Sequence, residues 1–173
     1  DGIRDCLLSR GLGDVYKRQK QSYVHGDCKV TNLLFDDSSD VAKTIIDLDT
    51  VHVRSWTLDF ADFVRSVCSS NGGFDRHFYA SALRGFLRGK EISREDLMSS
   101  MGSLIRGPSA ITLMLAIRFA ADHLRGDVYF NVKEHGENLQ RSLEQYRLFK
   151  EFQDSQLWMS EAFDQVRTDL IEE

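Results

Sequence analysis

One proline in 173 residues, Pro108, leaves the chain few fixed breaks, so long helices are free to form. Three cysteines, odd in number and without a Cys-x-x-Cys pair, exclude a disulfide framework and a cysteine-built zinc site. No continuous apolar run reaches the roughly 18–20 residues a bilayer-spanning helix needs, which predicts no membrane partner. There is no excess of positive charge: the net charge of −5 argues against a nucleic-acid or anionic-membrane partner. These features predict one globular domain in a reducing cytoplasm. Two further absences matter later: no glycine-rich phosphate loop, and no lysine placed on a strand ahead of the first polar motif. The first methionine is Met98.

What is present is concentrated near the start. Residues 25–36 read His25-Gly26-Asp27-Cys28-Lys29-Val30-Thr31-Asn32-Leu33-Leu34-Phe35-Asp36, and Ile46-Asp47-Leu48-Asp49 follows, with Asp47 20 positions after Asp27. An aspartate, a lysine two positions on, an asparagine five positions on and a second aspartate beyond an apolar strand make the catalytic-loop arrangement of a kinase. Phosphoryl transfer asks a protein mainly for positioning and charge neutralisation. In that arrangement Asp27 holds the attacking hydroxyl and takes its proton, Lys29 faces the migrating phosphoryl group, and Asn32 and Asp47 carry magnesium. Asp49 either takes a second magnesium or anchors the following turn.

The surrounding text predicts a fold for this loop. Leu33-Leu34-Phe35 reads as a short buried strand, residues 36–40 as a polar turn and residues 41–46 as a second, β-branched strand. That hairpin returns Asp47 to the side of Asn32. Everything afterwards reads as helix. Residues 56–70 carry Phe60, Phe63, Val64 and Val67 on one face and stop at Asn71-Gly72-Gly73. Residues 74–88 present Phe78, Leu83, Phe86 and Leu87. Ser93 caps the next helix, which Gly107-Pro108 is expected to break. Residues 109–124 form the most apolar helix, predicted to be the buried centre, ended by Gly126. Residues 134–153 follow, facing inward with Leu139, Leu143, Tyr146 and Phe149, and residues 156–171 close the chain. The fold class predicted is α+β, mostly helical.

Arg118 stands out in its apolar helix, because a buried guanidinium is costly unless paired. It either meets a carboxylate or points into a site. Tyr129, 11 residues on and just past the helix end, is a candidate to touch substrate or a core-edge aromatic with a polar tip. Asp59-Phe60-Ala61-Asp62 imitates a kinase metal motif but falls on a predicted helix, so Asp59 or Asp62 is expected to cap that helix or bind the loop backbone. His25 is expected to brace the loop. Cys28 lacks an activating partner for nucleophilic work. His52, His77, His123 and His135 suggest nothing specific.

With these residues placed, the chain resembles the aminoglycoside phosphotransferase and choline kinase superfamily, whose members share the His-Gly-Asp-x4-Asn loop and the following Ile-Asp-x-Asp. Within it the text is most similar to the N-acetylhexosamine 1-kinase branch, through Ile46-Asp47-Leu48-Asp49-Thr50-Val51, Asp59-Phe60-x-Asp62 with Arg65, and Gly126-Asp127-Val128-Tyr129-Phe130. The resemblance runs from about residue 20 to at least 152. It implies the C-terminal lobe of a protein-kinase-like fold, ATP and Mg2+ as cofactors, Asp27 as catalytic base, and Arg118 and Tyr129 as residues binding a small-molecule hydroxyl acceptor, a sugar foremost. Choline, homoserine or an aminoglycoside are the alternative acceptors, and a non-catalytic kinase-like binding module is the alternative from another class. Cys28 stands where threonine is usual, Ala61 replaces a common glycine, and Val53-Arg54-Ser55-Trp56 replaces the usual text beside the acceptor pocket. Residues 1–19 resemble a translated adapter junction. Residues 20–173 are therefore expected to be a kinase-like C-terminal lobe without its nucleotide-binding half, inactive as it stands.

Overall fold

A computed structural model of the chain describes residues 21–39, 41–89 and 92–172. The expected junction at 1–19 lies outside them. Among these residues four strands lead: β1 (Gln21–Val24), β2 (Leu33–Phe35), β3 (Ala42–Ile45) and β4 (His52–Ser55). Five helices follow among them: α1 (Thr57–Ser70), α2 (Arg76–Arg88), α3 (Arg94–Leu124), α4 (Glu137–Asp154) and α5 (Gln156–Glu172). The molecule is mostly helical with small antiparallel sheets, as a kinase-like C-terminal lobe requires.

The predicted hairpin is β2 against β3, with Leu33 opposite Ile45 and a register shift at Phe35. It is framed by a pair the sequence reading missed. Residues 52–55 form β4, antiparallel to β1, with Val24 opposite His52. Val53 and Arg54 alternate with only one apolar neighbour, too short a signal for a strand. The reading of Leu33-Leu34-Phe35 as buried needs correction as well. Leu34 and Phe35 are about half exposed, as is Ile45 opposite. An apolar run marks a buried strand only when a second layer covers it, and the exposure of Leu34, Phe35 and Ile45 shows that these side chains are not covered.

The helices are organised around one core. Phe60 and Val64 of α1, Tyr79 and Leu83 of α2, Leu104 of α3 and Phe152 of α4 are all buried. Phe60 meets Tyr79 edge to face at 5.7 Å, a geometry favoured by aromatic quadrupoles. Asp75 caps α2 by accepting from Phe78 N–H, and Ser93 caps α3 by accepting from Asp96 N–H, as its sequence position predicted.

The expected break at Pro108 is absent. α3 runs unbroken for 31 residues with Pro108 inside it. A proline there removes the N–H that would meet the Leu104 carbonyl four residues back. That orphan is supplied from another helix: the buried Tyr79 hydroxyl donates to Leu104 O at 3.2 Å. The proline cost is thus partly offset by tertiary structure, which local sequence cannot reveal. Tyr79→Phe should therefore destabilise the fold by about 1–3 kcal/mol, since it leaves a buried carbonyl unpaired. In a Pro108→Ala background the helix refills that bond and the penalty should shrink markedly. A double-mutant cycle by urea denaturation reads the coupling; equal penalties in both backgrounds would refute it.

Two burial expectations also change. α3 is the central helix, packed against α1, α4 and α5, yet Met114 and Ile117 are about half exposed. By length and composition alone it is apolar enough to cross a membrane, as a core helix can be, although Arg106 and Arg118 interrupt its apolar run. On α4, Leu139, Leu143 and Tyr146 face outward while Asn138, Gln145, Leu148 and Phe152 are buried. The helix is rotated because its buried amides have specific partners: Gln145 Nε2 donates to Ser69 Oγ at 2.8 Å, and Asn138 serves the turn after α3. Hydrophobic periodicity is blind to such pairs.

Candidate active site

The Asp27 loop is suspended from α1. Asp59, at its first turn, accepts from both His25 N–H (2.7 Å) and Gly26 N–H (2.9 Å). Ser66 Oγ, two turns further along, accepts from Val30 N–H at 3.1 Å. From the other side His25 Nε2 meets Ile46 O at 2.9 Å, and Thr50 Oγ1 donates to His25 O at 2.7 Å. His25 thus braces the loop as expected, and Asp59 binds the loop backbone rather than capping its own helix. Gly26 sits at φ +82°, and a Cβ there would lie 2.6 Å from Thr50 O, so only glycine fits.

Asp27, Lys29 and Asn32 converge on this scaffold, the first two partly exposed. Lys29 Nζ lies 2.6 Å from Asp27 Oδ2. Asn32 Nδ2 donates to Asp27 O at 2.9 Å and reaches Asp27 Oδ2 at 3.4 Å. The hydrogen bond to Asp27 holds the Lys29 ammonium above its ordinary pKa, with Asp47 among the nearby anions adding to it. Asn32 is buried at 5 % exposure, and its carbonyl accepts from Ile46 N–H at 2.9 Å, so the residue before Asp47 is stitched to Asn32. The hairpin therefore juxtaposes Asn32 and Asp47 as its geometry predicted. Asp47 adopts the left-handed conformation (φ 67°) at the start of a short 3-10 turn, Leu48–Thr50, which carries Asp49. Both aspartates are exposed and, among the described residues, neither side chain accepts a hydrogen bond. The anchor for the turn is Thr50, not Asp49.

A model of the phosphotransferase enzyme family (APH) matches residues 4–95, just over half of the chain and all of this loop. The chain belongs to that family. Membership in this family fits the mostly helical lobe and implies phosphotransferase (kinase) activity. The match ends before Arg118 and Tyr129, so those two residues rest on their own geometry.

That geometry pairs them but does not bury them. Arg118 is exposed; its Nη2 donates to Tyr129 Oη at 3.3 Å, and its guanidinium stacks over the Tyr129 and Phe130 rings at 5.5 and 5.3 Å. The expected choice between an internal carboxylate and a site is replaced by cation–π stacking, which leaves the guanidinium edge open to solvent. Among the described residues no hydrogen bond or ion pair joins this pair to the Asp27 loop.

Arg65, quoted in the sequence only as part of the resemblance, pairs with the buried Asp62 at 2.8 Å. One residue that the sequence reading passed over holds the Tyr129 turn in place. Asp122 is buried one turn after Arg118 and accepts from Tyr129 N–H, Phe130 N–H and Asn138 Nδ2, each at 2.9 Å. Its signal was a carboxylate inside an apolar helix, which is as conspicuous as Arg118.

Cys28 has the opposite character to a nucleophile. Burial, with Asp59, Asp62 and Asp27 adding their charges, pushes its thiol up to about 12. Iodoacetamide at pH 8 should alkylate Cys28 about 100-fold or more slowly than a free cysteine, because only the thiolate reacts. Peptide mass spectrometry over time checks this, and labelling at the free-thiol rate would refute it.

Proposed function

We propose that this chain supplies the catalytic lobe of an ATP-dependent kinase that phosphorylates a hydroxyl of a small molecule, an amino sugar or related sugar foremost. The observation that carries the reading is the Asp27 carboxylate, held at 2.6 Å by Lys29 and within 3.4 Å of Asn32 on a loop fixed by Asp59. A carboxylate so fixed accepts a proton from an incoming hydroxyl, and Lys29 beside it offsets negative charge on the group being transferred. Asn32 turns its Nδ2 toward Asp27, and among the described residues no donor meets its Oδ1. With the Asp47 carboxylate this makes a set of hard oxygen donors of the kind Mg2+ takes. When bound, Mg2+ and ATP supply the phosphoryl group and offset its phosphate charge. Asp49 joins this donor set from the same 3-10 turn.

On the acceptor side we assign Arg118 and Tyr129. The stacked pair offers guanidinium N–H groups, a phenol and an aromatic face, which suit a neutral or anionic hydroxyl compound. A cationic acceptor such as choline or an aminoglycoside would meet repulsion from Arg118.

The test uses the longest reading frame that contains this chain. ADP release is followed with Mg–ATP and a panel of N-acetylhexosamines, neutral sugars, homoserine, choline and aminoglycosides. The reading expects acceptor-dependent ADP release with a sugar and none with the cationic compounds. Turnover confined to choline or an aminoglycoside would overturn the acceptor assignment. Magnesium-dependent nucleotide binding without turnover on any acceptor would point to a non-catalytic binding module.

A further inference from the structure

Beyond the end of α3 the chain reverses through Gly126 (φ 92°) and Asp127 (φ 59°), both left-handed. The reversal gathers three side chains that the phosphotransfer site does not use. His123 and Asp127 stand four residues apart across the helix end, and the following loop lays the His135 ring against His123, centroid to centroid 5.0 Å. Asp127 Oδ2 lies 3.6 Å from His123 Nδ1 and 3.2 Å from His135 Nδ1. One ligand atom from each of the three falls within 4.8 Å of the others. His123 Nδ1 is buried and has no hydrogen-bond partner, an arrangement that costs free energy unless something occupies its lone pair.

We propose that His123, Asp127 and His135 form a binding site for a divalent transition cation, zinc being the best match. Zinc takes nitrogen and carboxylate donors at about 2.0–2.1 Å in a tetrahedron, whose ligand-to-ligand edges are then about 3.4 Å. The two edges at Asp127, 3.2 and 3.6 Å, bracket that length. Two imidazoles exclude the all-oxygen preference of magnesium and calcium. Asp127 is prepared for the role. Its second oxygen accepts from the buried Asn138 Nδ2 at 2.9 Å, the kind of outer partner that orients a metal-bound carboxylate. The exposed His135 provides the way in and leaves a fourth position to water.

The site also has a mechanical connection. The same Asn138 Nδ2 donates to Asp122, which holds the backbone of Tyr129 and Phe130. A cation on Asp127 thus restrains the loop that carries Tyr129, whatever that loop binds.

Titration of the 173-residue chain with zinc chloride, by calorimetry and by competition with a chromophoric chelator, tests the site. One zinc per chain is expected, together with visible d–d bands of tetrahedral cobalt when Co2+ is used instead. His135→Ala, an exposed change that leaves the fold intact by circular dichroism, should weaken binding about tenfold or more. Asp127→Asn should do the same, and His77→Ala on α2 should not. Absence of saturable zinc binding by the folded chain would overturn the proposal. So would unchanged affinity in a His123→Ala, His135→Ala double variant.

Discussion

Replacing Asp27 with asparagine, in the longest reading frame containing this chain, should lower kcat by about 10²- to 10⁴-fold, the usual contribution of a positioned general base. Asparagine keeps the size of the side chain and one carbonyl oxygen, so contact with Asn32 Nδ2 or Lys29 Nζ survives. What disappears is the anion that can take a proton. Nucleotide affinity should change little, because Asn32 and Asp47, not Asp27, are assigned to the metal. Stability should also hold, since the Asp27–Lys29 pair is about one-third exposed on both sides and such pairs contribute little. Steady-state kinetics with a separate measurement of nucleotide binding distinguishes these effects. A kcat within a few-fold of the parent would remove Asp27 from its assigned role. A parallel loss of nucleotide affinity would mean that it serves the metal instead.

The part of this site that lies within one supersecondary unit was legible in the sequence. Asp27, Asn32 and Asp47 are brought together by one hairpin, and a hairpin is announced by two apolar runs around a polar turn. The Asp59 contact was legible only as one alternative, since the sequence left open whether Asp59 or Asp62 acts and whether it caps the helix or binds the loop backbone. What failed were inferences that require knowing which helix lies against which. Pro108 looked like a break because its missing hydrogen bond is compensated by Tyr79, 25 positions before the Leu104 carbonyl it serves. Leu139, Leu143 and Tyr146 looked like the inner face of α4 because amides are assumed to face water. In this lobe Asn138 and Gln145 are buried against Asp122 and Ser69. His123 and His135 looked unrelated because the left-handed turn at Gly126 and Asp127 that stacks them leaves only one glycine in the sequence to mark it.

Asp122 is the strongest case of such hidden wiring, and Asp122→Ala should reduce the free energy of unfolding by about 2–4 kcal/mol. Its carboxylate is 4 % exposed and satisfies three donors, two from the backbone of residues 129 and 130 and one from the fully buried Asn138. Removing it strands all three, and hydrogen bonds to a charged acceptor are the stronger kind. In urea the midpoint should fall with the slope unchanged, since the denatured chain is unaffected. Asp122→Asn should recover less than half of the loss. Oδ1 serves Tyr129 N–H while Oδ2 serves both Phe130 N–H and Asn138 Nδ2, so an amide must point its NH2 group at a donor on one side or the other. If Tyr129 contacts the acceptor, the acceptor KM should rise more than kcat falls, because the loop loses its tether while Asp27 stays held by Asp59. An unchanged midpoint for Asp122→Ala would show that the loop is held by its own turn geometry. Equal recovery by asparagine would show that a single acceptor suffices.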